Sequence, residues 1–462
     1  MSRQPLDAWL YGTRIATITD RGGHISLRWT DEAYQRWGDG TRVMSELLPV
    51  SRPDRQPHHR RVEVFLEGLL PEGTARQHLA FDAGLVPGDI FGMIEAYGRD
   101  TAGALIFVPE GSAEPTRQGT VRPLSDAQIG AMLEAAGRNA PALGAEPHLQ
   151  STSLAGIQPK IVLAATPDGW ARCIGGYPST HIVKLAHPAG SPAEDVAHTE
   201  VACLDLARAA GLTSISAELA SFGGQLAIVV SRYDRVTGPD GVIRRVHQED
   251  TAQALGINTA DPARKFQLGA GLPSLARIAG VLRNSGSEPD QLLRLTAFNL
   301  AVGNTDAHAK NISLIRHPEG SAELAPAYDV AMHLHHRNAA GVFAMDVNGK
   351  REMGGISVAD LLAEAQSWPL PRQRAVRAIG DTLRALAEAL DAADTSSYPG
   401  VPAAAWETVR ARTTDLLREV PAAGTVSSVP ASRPRARQPR GRPGGGRFAP
   451  RAPSPRPDEG RQ

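Results

Sequence analysis

The chain has 462 residues, which is enough for two or three domains with sizeable cores. Basic and acidic residues number 49 each, so the overall charge favours neither nucleic acid nor a membrane surface as a partner. Two cysteines, Cys173 and Cys203, exclude a disulfide framework or a thiolate zinc cluster, and they favour the reducing cytoplasm. A secretory leader and an apolar run of membrane-spanning length are both missing from the sequence, so we expect no membrane partner.

An amino-terminal α+β domain is predicted for residues 1–112. Residues 6–30 alternate between apolar and polar side chains, as strands do, with a hairpin turn at 20–23. Helical patterns follow at 62–70, 75–83 and 90–97. The polar stretch 111–122 then predicts a linker to the next domain.

The second predicted domain, residues 123–235, begins with a helical pattern at 126–137. A hydroxyl-rich loop at 151–160 then leads into a strand at 161–164. Backbone amides of such a loop can approach phosphates, and Lys160 would add a cation there. An ordinary loop at the entrance of a strand is the alternative interpretation.

Lys184 lies in the apolar stretch 181–185, which predicts a buried strand. Burying an ammonium is costly unless a carboxylate or a phosphate meets it. The next predicted helix, 192–210, ends before Gly211 and carries Glu200, so a strand lysine is followed by a helix glutamate as in the ATP-binding pair of kinases. The alternative is an edge-strand lysine that extends to water beside a solvated glutamate.

A connector and a mainly helical lobe complete the predicted folded part. The lobe comprises residues 236–424. The connector 231–235 follows the apolar strand 225–230, and its backbone could meet an adenine edge; a charged loop is the alternative. A helix is predicted at 244–256, in which capping explains Glu249 and Asp250. Helices at 275–282 and 291–302 lead into the next motif.

Asp306 and Asn311 stand five positions apart in the stretch 303–311, and Asp329 follows a predicted hairpin with strands at 311–316 and 322–325. Phosphoryl transfer by kinases needs a base near the acceptor hydroxyl and oxygen ligands for magnesium. The three residues therefore predict a kinase. The alternative is a turn in which Asp306 caps its own backbone.

In this order the motifs resemble the HipA family, bacterial serine/threonine kinases that act as toxins of type II toxin-antitoxin modules. The resemblance covers residues 6–395 and implies an α+β, bilobal protein-kinase-like fold, with a small amino-terminal α+β domain and a mainly helical carboxy-terminal lobe. The stretches that carry it are 70–73, 98–105, 153–160, 181–184, 231–235, 247–256, 303–311 and 328–329.

ATP and Mg²⁺ are the cofactors that the resemblance implies. It places Lys184, paired with Glu200, on the ATP phosphates, Asp306 as the base, and Asn311 with Asp329 on the metal. It also implies autophosphorylation at residue 153, a serine, where a charge of about −2 would repel ATP and silence the enzyme. The autophosphorylated residue and the other implied nucleotide contacts are Ser153, Ala155, Gly156, Ile157, Gln158, Lys160, Ser231, Arg232, Tyr233, His308, Lys310 and Tyr328.

The implied partners are a HipB-like helix-turn-helix antitoxin, operator DNA bound through that antitoxin, and a protein substrate. Members of this family phosphorylate translation components such as aminoacyl-tRNA synthetases, so a similar target is expected here. Two other functions stay open at this stage. One is a small-molecule phosphotransferase with the same apparatus, and the other is an inactive nucleotide-binding co-repressor that serves an antitoxin.

A disordered, basic tail is predicted for residues 425–462, which are rich in proline, arginine and glycine. Residues 431–462 hold nine arginines against Asp458 and Glu459, which leaves 40 basic and 47 acidic residues elsewhere. Such a tail could add salt-sensitive affinity for DNA or RNA. A solubilising tail without a partner is the equal alternative.

Overall fold

The computed structural model describes residues 3–113, 115, 119–138, 158–269, 272–336 and 341–421. Residues up to Val420 belong to one compact unit. Residues 151–157 of the predicted phosphate loop, which include Ser153, Ala155, Gly156 and Ile157, lie outside the described residues, as does the tail that was predicted to be disordered. Across the described ranges, none of the helices combines the length and the apolar character that a bilayer crossing requires.

A four-stranded antiparallel sheet is the base of the amino-terminal part. Its strand order is 3-2-1-4, and its apolar face packs against helices that bury Phe65 and Phe91. Glycines with positive φ close its two hairpins, at Gly12 and at Gly22-Gly23. The elements are β1 (Leu6–Leu10), β2 (Thr13–Arg21), β3 (His24–Trp29), α1 (Asp31–Trp37), α2 (His59–Gly68), α3 (Gly73–Asp82), α4 (Ile90–Tyr97) and β4 (Ile106–Pro109).

A six-stranded antiparallel sheet follows, in the order 5-7-6-8-10-9. Its elements are β5 (Thr120–Pro123), α5 (Asp126–Arg138), β6 (Lys160–Thr166), β7 (Gly169–Ile174), β8 (His181–Leu185), α6 (Val196–Ala209), β9 (Ala217–Phe222) and β10 (Gln225–Ser231). The polar stretch 111–122, predicted to be a linker, thus ends in a strand that pairs with β7. Strand β8 is central, so Lys184 does not lie on an edge strand.

Helices dominate the third part, as predicted. Helix α9 is almost wholly buried, because helices on several sides, α11 among them, cover its apolar residues. The elements are β11 (Arg235–Thr237), β12 (Ile243–Arg245), β13 (His247–Asp250), α7 (Thr251–Ala254), α8 (Leu275–Asn284), α9 (Asp290–Val302), β14 (Ser313–Arg316), β15 (Ala322–Leu324), β16 (Val342–Val347), β17 (Lys350–Glu352), α10 (Val358–Ser367), α11 (Arg372–Ala392) and α12 (Ala403–Glu419).

The helix predicted at 244–256 is wrong over its first half, which forms β12 and β13. Capping explains Asp250, whose side chain accepts from the backbone N–H of Gln253. It does not explain Glu249, which is fully buried and accepts hydrogen bonds from Ser45 Oγ (2.7 Å), from the Glu46 amide (2.8 Å) and from Arg316. A tertiary ion pair overrides the local helical pattern here.

A buried ion network joins the amino-terminal part to the connector after β10. The Asp100 carboxylate is fully buried, and it accepts hydrogen bonds from Ser179 Oγ (2.6 Å) and Arg235 (2.8 Å). Arg232 donates two hydrogen bonds to Asp234, at 2.8 and 2.9 Å, and lies 3.7 Å from Asp100. Burial would raise the pKa of Asp100, but the guanidinium groups of Arg235, Arg232 and Arg245 outweigh it and lower the pKa, so the carboxylate is ionised.

Replacing Asp100 by Asn should leave the guanidinium groups of Arg232, Arg235 and Arg245 without part of their counter-charge. We expect a loss of about 3 to 5 kcal/mol of unfolding free energy, since removing one partner of a buried pair leaves an uncompensated charge. The measurement is the urea midpoint of unfolding. Asp240→Asn is the matched control, because the ion pair between Asp240 and Arg244 is exposed and should not shift the midpoint. Equal midpoints for Asp100→Asn and wild type would contradict this account.

Candidate active site

Lys184 sits at the centre of the site. Its Nζ lies 2.7 Å from Glu200 Oε1 and 2.5 Å from Asp329 Oδ1, while only 9% of its side chain is exposed. Burial alone would lower the pKa of Lys184, but the two carboxylates outweigh burial and raise it. Burial also raises the pKa of Glu200, yet the 2.7 Å contact supports a charged pair with Lys184. One ammonium thus holds together a strand, a helix and the loop after the hairpin.

A second lysine stands directly across the sheet. Lys160 on β6 pairs in register with Lys184 on β8, so the two side chains point to the same face. Burial and the charge of Lys184 lower the pKa of Lys160 to about 8. Like charges opposite each other are unfavourable unless anions face them. This arrangement suits a ligand that carries several negative charges.

The loop after α9 is shaped by Gly303 and Asn304. Gly303 ends the helix with φ of 74°, a left-handed conformation that favours glycine. The Asn304 side chain donates to Asn299 Oδ1 at 3.0 Å and accepts from the Asp306 amide at 3.1 Å. Asn304 therefore makes the turn, and the predicted alternative, in which Asp306 caps its own backbone, does not occur. The Asp306 carboxylate is left available for chemistry.

Asp306 is a carboxylate that accepts a proton readily. Partial burial of the Asp306 carboxylate and the negative charge of Asp329 raise the pKa of Asp306 to about 6. The His308 ring lies 3.8 Å away, but burial lowers the pKa of His308 to about 3, so no ion pair forms at neutral pH. Half of the Asp306 side chain remains exposed. A general base needs both this access and a pKa near the working pH.

Asn311 and Asp329 present the oxygens that magnesium prefers. The Asn311 amide nitrogen donates to the Asp306 carbonyl at 2.9 Å, so its Oδ1 is the atom left for a cation. Asp329 uses Oδ1 for Lys184, which leaves Oδ2, and its backbone is held at φ of 55°, an uncommon value for a residue other than glycine. The pKa of Asp329 is lowered because two lysines outweigh burial. One amide and one ionised carboxylate fit a magnesium ion that keeps several waters.

A cavity of about 150 Å³ lies between the sheet and the helical part. Apolar walls from Ile182, Ile215 and Val230 face a polar side that includes Lys184 and Asp329. A nucleotide has the same division into a flat apolar base and a charged polyphosphate. Ten predicted site residues line the cavity: Lys160, Lys184, Glu200, Ser231, Arg232, Tyr233, Lys310, Asn311, Tyr328 and Asp329.

The connector contributes backbone and aromatic surface to this cavity. The guanidinium of Arg232 donates its hydrogen bonds within the buried ion network. Any contact of Arg232 with a ligand therefore involves its backbone or the aliphatic part of its side chain. Ser231 Oγ accepts from the Ser216 amide at 2.9 Å. Tyr233 stacks on Tyr328 with ring centroids 5.7 Å apart, and its hydroxyl donates to Gln248.

Lys310 is held from two sides. Its Nζ donates to Asp250 Oδ2 at 2.7 Å and to the carbonyl of Gly68 at 3.3 Å, and Gly68 belongs to the amino-terminal part of the fold. Glu72 lies 3.8 Å from Lys310 and 3.2 Å from Lys265. The same amino-terminal segment therefore adds a carboxylate beside residues 303–311, called the catalytic loop below. Tyr328 donates its hydroxyl to the Lys310 carbonyl at 2.7 Å.

Sequence reasoning missed several residues of the site. Gly68 and Glu72 come from a different domain, and the one signal for them was the Pro-Glu-Gly stretch after α2. Gln248, Asp250 and Gln253 line the cavity but were interpreted as a capped helix start. Of the other predicted contacts, Gln158 donates to the Leu185 carbonyl at 3.0 Å, and the His308 ring is buried against Phe266.

Together the two lobes, the cavity between them and the lysine-carboxylate centre define a kinase of the protein-kinase-like class. The model of the HipA N-terminal domain matches residues 6–108, and that of the HipA-like C-terminal domain matches residues 152–390. The chain therefore belongs to the HipA family, and the predicted α+β, bilobal kinase-like fold is confirmed.

Individual relatives agree with this assignment. The protein Y4mE of Sinorhizobium fredii (strain NBRC 101917 / NGR234) is 32% identical over 86% of this chain and 94% of its own. The serine/threonine-protein kinase toxin HipA of Shewanella oneidensis is 29% identical over 77% of this chain and 81% of its own. A chain of the Shewanella oneidensis MR-1 HipA, HipB and operator DNA complex superposes with a TM-score of 0.70, at 25% identity over 90% of this chain and 96% of that chain.

Asp306→Asn should make the protein more stable above pH 6, because the charged carboxylate is disfavoured in the fold. The folded pKa of about 6 exceeds the ordinary value of 3.8, so the wild type loses stability as pH rises between these values. Since the side chain is half exposed, we expect a gain in melting temperature of only roughly 1 to 3 °C at pH 8. Differential scanning fluorimetry should show the gain shrinking below pH 6. A gain that does not depend on pH would contradict the raised pKa.

Proposed function

We propose that this chain is an ATP- and Mg²⁺-dependent serine/threonine protein kinase of the HipA toxin type. The observation that carries the proposal is the position of Lys184 between Glu200 and Asp329, at the wall of a cavity that Asn311 also lines. This arrangement supports charge stabilisation and metal binding at one end of the cavity. The chain has all four polar residues that the predicted chemistry needs, which argues against an inactive co-repressor; they are Lys184, Asp306, Asn311 and Asp329.

The chain's own groups account for the transfer of the phosphoryl group. Asp306, ionised above pH 6, takes the proton of the acceptor hydroxyl as that oxygen attacks the terminal phosphorus of ATP. The bond from this phosphorus to the bridging oxygen breaks, and ADP leaves. Lys184 and Lys160 offset negative charge on the phosphate oxygens, and Asn311 with Asp329 would hold the magnesium ion. When bound, magnesium neutralises charge that develops on the transferred group.

A protein is the proposed acceptor, and a translation component such as an aminoacyl-tRNA synthetase is the proposed target. The name of the Shewanella relative, a serine/threonine-protein kinase toxin, supports a protein acceptor. That relative was solved with HipB and operator DNA, which supports a HipB-like antitoxin and, through it, DNA as partners here. We also propose Ser153 as the site of autophosphorylation.

Incubation of the purified chain with radiolabelled ATP, Mg²⁺ and a cell lysate tests the activity and the acceptor. We expect label on the chain itself and on one dominant protein. Asp306→Asn should lower both signals at least about 100-fold, because general base catalysis contributes about 10²- to 10⁴-fold. Ser153→Ala should remove the label from the chain but not from the target.

Asp240→Asn is the control for these assays, since it changes an exposed carboxylate on a remote loop and should label normally. Label that passes to small metabolites alone would favour a small-molecule phosphotransferase. Unchanged labelling by Asp306→Asn would refute the assignment of the base.

Binding and chemistry should separate between two variants. Lys184→Met removes a cation that faces the phosphates, so we expect at least a tenfold loss of MgATP affinity in isothermal titration calorimetry, about 1.4 kcal/mol. Asp306→Asn should bind MgATP at least as tightly as wild type, because it removes a negative charge near the phosphates. Equal affinity of Lys184→Met and wild type would place the phosphates elsewhere.

A further inference from the structure

Asp195, His335 and His336 form a compact group outside the active site. Nε2 of His335 lies 2.5 Å from one Asp195 oxygen, and Nε2 of His336 lies 2.8 Å from the other. One potential ligand atom from each residue lies within 4.8 Å of the other two. The two imidazole rings are tilted by 53°, with centroids 4.1 Å apart, and both Nε2 atoms face the same carboxylate.

Asp195 behaves differently from an ordinary helix cap. It occupies the N-cap position of α6, where aspartate usually accepts a hydrogen bond from the first helical turn. Its side chain makes no such bond and is directed to the two histidines instead. Only 8% of the Asp195 side chain and 5% of the His335 side chain are exposed. The Asp195 carboxylate thus contacts the two imidazoles and does not cap the helix.

A cavity of about 480 Å³ opens beside the three residues. His187, His198 and Glu194 also line it, so a ligand bound by the group has further donors within the same space. Two imidazoles and one carboxylate with access to an open position form a donor set typical of zinc. Magnesium and calcium prefer sites built only from oxygen.

From this geometry we infer that Asp195, His335 and His336 bind a divalent transition-metal ion of the zinc type. Ligands 2.0 to 2.2 Å from a tetrahedral zinc ion lie roughly 3.3 Å apart, so each imidazole nitrogen needs to move away from its Asp195 oxygen by less than about 1 Å. His336 keeps a quarter of its side chain exposed and can make that adjustment. The two Nε2 atoms would then bind the metal instead of donating hydrogens to the carboxylate.

The ion would join two segments that shape the active site. Asp195 precedes the helix that carries Glu200, the partner of Lys184. On the other side, His333 belongs to the same short segment as His335 and His336, and its Nδ1 accepts from the amide of Thr305, next to the catalytic base. Metal binding would therefore couple α6 to the catalytic loop through side chains that are not part of the ATP site.

The test uses the untagged full-length chain, stripped with a chelator and then titrated with Zn²⁺ or Co²⁺ in the presence of millimolar Mg²⁺. We expect one equivalent to bind, a visible Co²⁺ spectrum of low coordination number, and a rise in melting temperature with Zn²⁺. His336→Ala and His335→Gln should weaken binding at least tenfold and abolish the Co²⁺ spectrum. Asp329→Asn should retain both, because the magnesium ligands are separate.

His24→Ala is the matched control, since His24, His59 and Glu63 form the other group of potential ligands among the described residues. Retained binding in His24→Ala, together with loss in His336→Ala, supports the assignment. Loss in His24→Ala alone would overturn it. If the three residues form a hydrogen-bonded cluster and nothing more, Zn²⁺ will leave the wild-type melting temperature unchanged, which also overturns the inference.

Discussion

A buried ammonium, Lys184, is the constraint on which the rest of the site depends. Removing an ammonium from water is expensive, and the fold offsets this cost by directing Glu200 and Asp329 onto it at 2.7 and 2.5 Å. The three residues come from a central strand, a helix and the loop after a hairpin. Each element is therefore positioned by the same charge, and the two lobes meet around it.

The amino-terminal domain belongs to the same electrostatic arrangement. Asp100 compensates two arginines of the connector, and Glu72 lies beside Lys310 of the catalytic loop. Arg316, fully buried, pairs with Glu249 and with Glu46 from the amino-terminal part. These contacts reach both sides of the cavity, so the domain acts as a structural part of the kinase and not as an appended module. Any partner that shifts this domain would also move charged groups in the site.

The charged forms of Asp306 and Lys160 are unfavourable in the free protein. Asp306 lies near Asp329 and has a pKa raised to about 6, while Lys160 opposite Lys184 has a pKa lowered to about 8. Under the proposed function, magnesium would bring positive charge to the region of Asp306, and the ATP phosphates would bring negative charge to the region of Lys160. The free protein thus keeps unfavourable electrostatic energy at this site, as is common where activity and stability compete. The group around Asp195 lies at the amino-terminal end of α6, five residues before Glu200.

Most elements and their order could be predicted from the amino-acid pattern, because alternation and helical periodicity are local properties of the chain. The sequence also predicted Lys184, Glu200, Asn311 and Asp329 as site residues, because these residue types follow one another in the order found in kinases. Tertiary structure alone decided the role of Glu249, which a local pattern assigned to a helix start but which pairs with Arg316 in a strand. It likewise decided that Gly68 and Glu72 reach Lys310 from another domain, because contacts across some 240 positions leave no periodic signal in the chain.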